Sequence, residues 1–128
     1  MRKLLATLAT GLLIGAGIAS PAQAAYADCS PFNYPGTICF TEHGDYSGQV
    51  WRQLPSQIFG CRDLYHENFN DKASTFFNNT SSNYQLYLYQ HIGCGGYDFI
   101  VASGQSGVFN GGNAWWNDKV SSIRIVEF

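Results

Sequence analysis

From residue 25 onward the chain runs in short apolar and polar alternations separated by clusters of glycine, asparagine and serine. Gln85, Leu86, Tyr87, Leu88, Tyr89 and Ser122, Ile123, Arg124, Ile125, Val126 show the pattern most clearly. A period of two sends successive side chains to opposite faces, which is the mark of a half-buried strand. The β-favouring runs at 37–40, 49–54, 84–89, 98–102 and 122–126 therefore predict antiparallel strands between turn signals. Ser103-Gly104-Gln105-Ser106-Gly107 reads as a hairpin turn. Past Ala25 no segment sustains an apolar stripe at helical spacing. The fold class is all-β, a sandwich or barrel.

The first residues follow a different pattern. Arg2 and Lys3 precede an apolar run from Leu4 to Ile18, and Ala22-Gln23-Ala24 ends it after Ser20 and Pro21. A basic start, a short apolar core and a small-residue site form an export signal. This stretch of 15 residues falls short of the roughly 20 needed to span a bilayer. The expected organisation is a signal peptide over 1–24 and one domain over 25–128, secreted and free of the membrane after cleavage.

Charge narrows the options. Seven basic and nine acidic residues give −2, and loss of Arg2 and Lys3 takes the remainder to −4. A nucleic-acid binder needs a basic face, so that class is set aside. An aromatic content of 16% argues against disorder. Cys29, Cys39, Cys61 and Cys94 all follow the leader, with no CxxC among them. In a small exported chain they predict two disulfides, with three pairings open.

An internal repeat is more informative. Phe69-Asn70-Asp71-Lys72-Ala73-Ser74-Thr75-Phe76 recurs 47 residues later as Trp116-Asn117-Asp118-Lys119-Val120-Ser121-Ser122-Ile123. Gly48 precedes Asn70 by 22 residues, and Gly96 precedes Asn117 by 21. Two motifs follow, about 37–80 and 84–128, each too small to hold a core alone and expected to pack face to face. Each repeated loop offers a carboxylate, an amide oxygen, hydroxyls and carbonyls, and this dense set of hard oxygen donors suits Ca²⁺. The same side chains also serve to bond their own backbone in a tight loop.

Both copies resemble the N/D-N/D-x-x-S/T-S signature of the βγ-crystallin superfamily, a double Greek key. Phe40, Glu42, Tyr46 and Gly48 match its first hairpin, while the second copy sets Tyr89, Gln90, Cys94 and Gly96 there. The resemblance implies that each ion is held by the loop of one motif and the hairpin of the other. One site would use Asp71, the Lys72 carbonyl and Ser74 with Gln90. The second would use Asp118, the Lys119 carbonyl and Ser121 with Glu42. The leader, the Cys-rich start and Cys94-Gly95-Gly96 are similar to small exported actinobacterial proteins grouped with the βγ-crystallin-like metalloproteinase inhibitors. That likeness implies Cys29–Cys39 and Cys61–Cys94 pairing and an extracellular protease as partner; the expected state is a monomer.

The reading is a secreted, non-enzymatic, Ca²⁺-binding protein that inhibits a metalloprotease. A calcium-stabilised structural protein and a carbohydrate-binding module are the alternatives. His43, His66 and His91 read as exposed loop and strand-edge residues rather than parts of a hydrolase, since positive charge to hold a phosphate is sparse. Trp116, aligned with Phe69, reads as core, and Trp115 as a candidate exposed ring. Asn78-Asn79-Thr80-Ser81 holds two glycosylation sequons and reads as a polar turn. The segments 54–60 and 104–113 are the candidate inhibitory loops.

Overall fold

The computed structural model describes residues 26–58, 60–81 and 83–128. The expected leader and its cleavage site lie outside the described residues. Eight strands follow in order: β1 Ile38–Thr41, β2 Val50–Gln53, β3 Cys61–Asp63, β4 Thr75–Asn78, β5 Tyr84–His91, β6 Gly95–Ala102, β7 Ser106–Val108 and β8 Ser122–Glu127. They build two four-stranded antiparallel sheets, ordered β2-β1-β4-β7 and β3-β8-β5-β6. The all-β expectation holds.

The two halves are not the two sheets. Each motif keeps three strands together and lends its third to the other sheet: β3 pairs with β8, and β7 pairs with β4. A half too small to bury a sheet face gains one by this exchange, because both inner faces then carry residues from both motifs. The expected hairpin at 103–107 is corrected for the same reason. The strand before it belongs to one sheet and β7 to the other, so the turn is a crossover between sheets. Gln105 closes it, its N–H donating to the Ala102 carbonyl at 3.1 Å and its Oε1 accepting from Ala102 N at 2.9 Å.

Alternation along β5 places Leu86 and Leu88 in the core and leaves Tyr87 and Tyr89 half-buried on the outer face. Phe40, Phe69, Trp51 and Trp116 pack between the sheets, with Phe40 and Phe69 stacked at 6.4 Å. Trp116 is buried, as its alignment with Phe69 implies. Strands β1 and β4 have no exposed position, because a second cluster of Cys29, Cys39 and Phe77, backed by Tyr26 and Tyr46, covers the outer face of their sheet. Cys29–Cys39 clips the N-terminal segment there. Cys61–Cys94 ties β3 of the first motif to the 92–94 turn of the second. Both pairings are those the resemblance implied.

Candidate functional site

The two repeated loops lie against each other, and one backbone feature sets their relation. Asp71 and Asp118 adopt left-handed conformations, with φ of 57° and 58°, which Asn and Asp tolerate better than most residues. There each aspartate sends its N–H to the opposite loop. Asp71 N donates to the Val120 carbonyl and Asp118 N to the Ala73 carbonyl, both at 3.0 Å. The carboxylates cross as well. Ser121 Oγ donates to Asp71 Oδ1 at 2.7 Å, and Ser74 Oγ lies 3.3 Å from Asp118 Oδ1.

The serines stay with their own motif. Ser74 N donates to the Thr41 carbonyl and Ser121 N to the Tyr89 carbonyl, both at 2.9 Å. Each is thereby fixed beside the residue that precedes Glu42 or Gln90. The outcome is two open clefts. One, of about 690 Å³, brings together Glu42, Lys72, Ser74 and Asp118. The second, of about 320 Å³, is lined by Asp71, Gln90 and Lys119, with Ser121 bonded to Asp71. Both clefts include Asp71 and Asp118 in their walls.

All eight residues singled out by the sequence thus meet here, with each aspartate beside the hairpin residue the resemblance implied and the serines exchanged. The resemblance implied Asp71 with Ser74 and Gln90, and Asp118 with Ser121 and Glu42. The structure joins Asp118 to Ser74 and Glu42, and Asp71 to Ser121 and Gln90. The aspartates reach the other motif's hairpin residue as implied, because the left-handed aspartate faces away from its own loop; it is the serine that stays beside its own hairpin.

Glycines at equivalent places shape both hairpins. Gly48 and Gly96 have φ of 85° and 81°. A Cβ on Gly48 would lie 2.7 Å from Glu42 Oε1, and one on Gly96 2.7 Å from His91 Cδ2. His43 and His91, which looked scattered in the sequence, are therefore counterparts beside the two clefts; their common spacing to Gly48 and Gly96 was the available signal. The same spacing makes Leu88, not Tyr89, the counterpart of Phe40, and both are fully buried. The Gln49 N–H, 3.0 Å from Glu42 Oε1, holds the Glu42 carboxyl below its ordinary pKa, with His43 and Lys72 adding to the effect. Among the described residues no group of three or more His, Cys, Asp or Glu is arranged to hold a metal, so a cation here would need hydroxyl, amide and carbonyl oxygens beside the carboxylates.

The model for peptidase inhibitor family I36 matches residues 22–101. The chain belongs to this family. Its fold has solved counterparts. A βγ-crystallin domain from Flavobacterium johnsoniae is 31% identical, with a TM-score of 0.52 over 70% of this chain and 93% of that one. One from Clostridium beijerinckii is 23% identical, with a TM-score of 0.52 over 70% and 97%. A domain described with the evolution of the eye lens βγ-crystallin fold is 16% identical, with a TM-score of 0.58 over 73% and 88%. No curated protein matches the chain. The inhibitor family and this fold support a protein that is not an enzyme.

Two disulfides in a member of the I36 family point to an extracellular protein. No helix among the described residues is long and apolar enough to cross a membrane. Trp115 is 48% exposed and packs edge-on against Tyr97 at 6.2 Å. Tyr87 and Tyr89 lie nearly parallel on the outer face of β5, their ring centroids 6.5 Å apart. The Asn78 side chain is buried, donating to the Val101 carbonyl at 2.9 Å and accepting from Thr80, so it serves the turn. Of the two candidate inhibitory loops, the second is largely strand β7 and the start of the 3-10 turn Gly111–Trp116. The first presents Leu54, exposed, ahead of the 3-10 turn Pro55–Gln57, with Ile58 anchored in the core.

Proposed function

We propose that the protein is a small exported inhibitor of an extracellular metallopeptidase, and that its two clefts bind Ca²⁺. The observation that carries the calcium reading is the crossed pairing of Ser74 with Asp118 and Ser121 with Asp71. Each cleft gathers a carboxylate and a hydroxyl from different loops, so an ion held by both would cross-link the motifs. Ca²⁺ takes roughly six to eight oxygen ligands and tolerates irregular geometry. In the larger cleft Glu42, Asp118, Ser74 and the Lys72 carbonyl would hold it; in the smaller, Asp71, Ser121, Gln90 and the Lys119 carbonyl. When bound, the ion would supply positive charge to the facing carboxylates and close the loops on each other. Asn70 Oδ1, at the head of the first loop, adds support: it is buried and has no hydrogen-bond partner. Such an acceptor is a usual place for a water or an ion.

The peptidase target rests on family membership. An inhibitor gains affinity when its contact surface is ordered before docking. Here Cys61–Cys94 and the crossed loops would supply that order. Calorimetric titration with Ca²⁺, beside an Asp71→Ala, Asp118→Ala double variant, tests the ion. Heat from the wild type that the variant lacks is expected, and identical flat traces would overturn it. Assays against a panel of secreted metallopeptidases, with and without Ca²⁺, test the target. Full residual activity of every enzyme under excess protein would remove that half.

A further inference from the structure

The third residue of each repeated loop is a lysine whose charge, among the described residues, belongs to neither a salt bridge nor the oxygen set. Both side chains are half-buried, and each ammonium is anchored. Lys72 Nζ lies 3.2 Å from Gln49 Oε1, and the Gln49 N–H in turn donates to Glu42 Oε1 at 3.0 Å. The ammonium is thus held one residue away from the carboxylate that faces the larger cleft. Lys119 Nζ sits over the Trp115 ring at 5.2 Å, and Trp115 is braced by Trp116 at 5.3 Å. An ordinary surface lysine would swing into solvent as a cation approached; these two are tethered beside the clefts they line.

We propose that Lys72 and Lys119 are tethered counter-charges that hold down the cation affinity of their clefts, Lys72 more strongly. The proposal rests on the calcium reading above. A fixed positive charge several ångström from an incoming dication opposes it through a term that falls only as the inverse of distance, and that salt screens over about 10 Å at 0.1 M. Lys72 acts more strongly because its anchor, Gln49, is bonded to Glu42, whereas Lys119 is drawn to an aromatic face. The other charged or titratable groups lining these clefts are Glu42, Asp71, Asp118, His43 and His91. The competing explanation is that the lysine stems only pack. Lys72→Met keeps a stem and loses the charge, while Lys72→Arg keeps the charge.

The test is calorimetric titration with Ca²⁺ of the wild type, Lys72→Met, Lys72→Arg and Lys119→Met, at low ionic strength and again in about 0.5 M KCl. Lys72→Met is expected to bind about three- to tenfold tighter at low ionic strength, Lys119→Met about twofold, with both gains shrinking in salt. Lys72→Arg should match the wild type. Far-UV circular dichroism without Ca²⁺ checks the fold, and Lys72→Gln replaces Lys72→Met should the latter misfold. Unchanged or weaker binding by Lys72→Met, or an equal gain in Lys72→Arg, overturns the proposal and leaves the calcium reading standing. A wild type that binds no Ca²⁺ overturns the calcium reading itself.

Discussion

Replacing Gly48 by alanine separates two costs that usually come mixed. Gly48 and Gly104 share nearly the same backbone, with φ of 85° and 79°. Forcing alanine into that left-handed region costs about 1–2 kcal/mol at either place. Their surroundings differ. Nothing lies within 4 Å of a Cβ built on Gly104, whereas one on Gly48 meets Glu42 Oε1 and His43 Cδ2 at 2.7 Å and Glu42 Cβ at 2.9 Å. A carboxylate oxygen can rotate aside, but Glu42 Cβ is fixed by its own backbone, so the hairpin must open. Overpacking of this kind adds about 1–3 kcal/mol. Gly104→Ala is therefore expected to lose about 1–2 kcal/mol and Gly48→Ala about 2–5 kcal/mol. Gly96→Ala should fall between them, since the nearest atom there, at 2.7 Å, belongs to the exposed His91 ring. Equilibrium unfolding in urea, followed by tryptophan fluorescence with the slope compared across variants, gives the ranking. If Gly48→Ala proves no more destabilising than Gly104→Ala, the cradle around Glu42 is not tight and the account of this hairpin fails.

Asp118→Asn should weaken Ca²⁺ binding more than Asp71→Asn, because the Asp118 cleft adds Glu42 where the other has Gln90; calorimetry on the two variants decides, and the reverse order would contradict the assignment. Glu42 and Asp45 are held below their ordinary pKa values, Glu42 chiefly by the Gln49 N–H and Asp45 chiefly by the Ser47 hydroxyl. A carboxyl lowered in the folded state stabilises above its unfolded value, about 4.3 for Glu and 3.9 for Asp, and that contribution is lost as pH falls through the folded value. Glu42→Gln should accordingly flatten part, not all, of the acid limb of stability between about pH 5 and 3, measured as the unfolding midpoint against pH. Removing Cys61–Cys94, which closes 33 residues, should cost about 3.7 kcal/mol, against about 2.7 kcal/mol for Cys29–Cys39, which closes 10, in urea unfolding of the two double-alanine variants. Phe69→Ala should lose about 3–5 kcal/mol in the same assay, since the ring is fully buried against Phe40.

What the sequence could show depended on how far apart the partners lie. Five strands announced themselves because each has a local alternation or a β-favouring run of four residues or more. Strands β3 and β7 are three residues long and flank glycines or turns, so no period can be counted in them. Strand β4, Thr75–Asn78, is buried on both faces and so carries no alternation. Its second cover is the N-terminal segment clipped by Cys29–Cys39, a contact no local pattern encodes. The lent strands were hidden for the same reason: a repeat shows that two units exist, not which sheet each strand joins.

The site divides along the same line. Its eight residues were legible because the loop is written twice and the hairpin glycines recur at nearly the same spacing. Which serine each aspartate meets was not, because it turns on two φ angles. An aspartate in the ordinary helical or extended region would keep its carboxylate over its own loop. At +57° and +58° its N–H and carboxylate cross to the neighbour, and both motifs do so at once. Symmetry then explains why the serines change partners in both sites at once, while each aspartate stays beside the hairpin residue of the other motif. What one loop does its copy repeats, and each aspartate lands beside the serine of the other loop. Among their polar groups the clefts differ at Glu42 against Gln90 and at Gln49 against Tyr97, and Lys119 meets Trp115 where the first copy has Asn68. Those imperfections are where the two clefts should part in affinity.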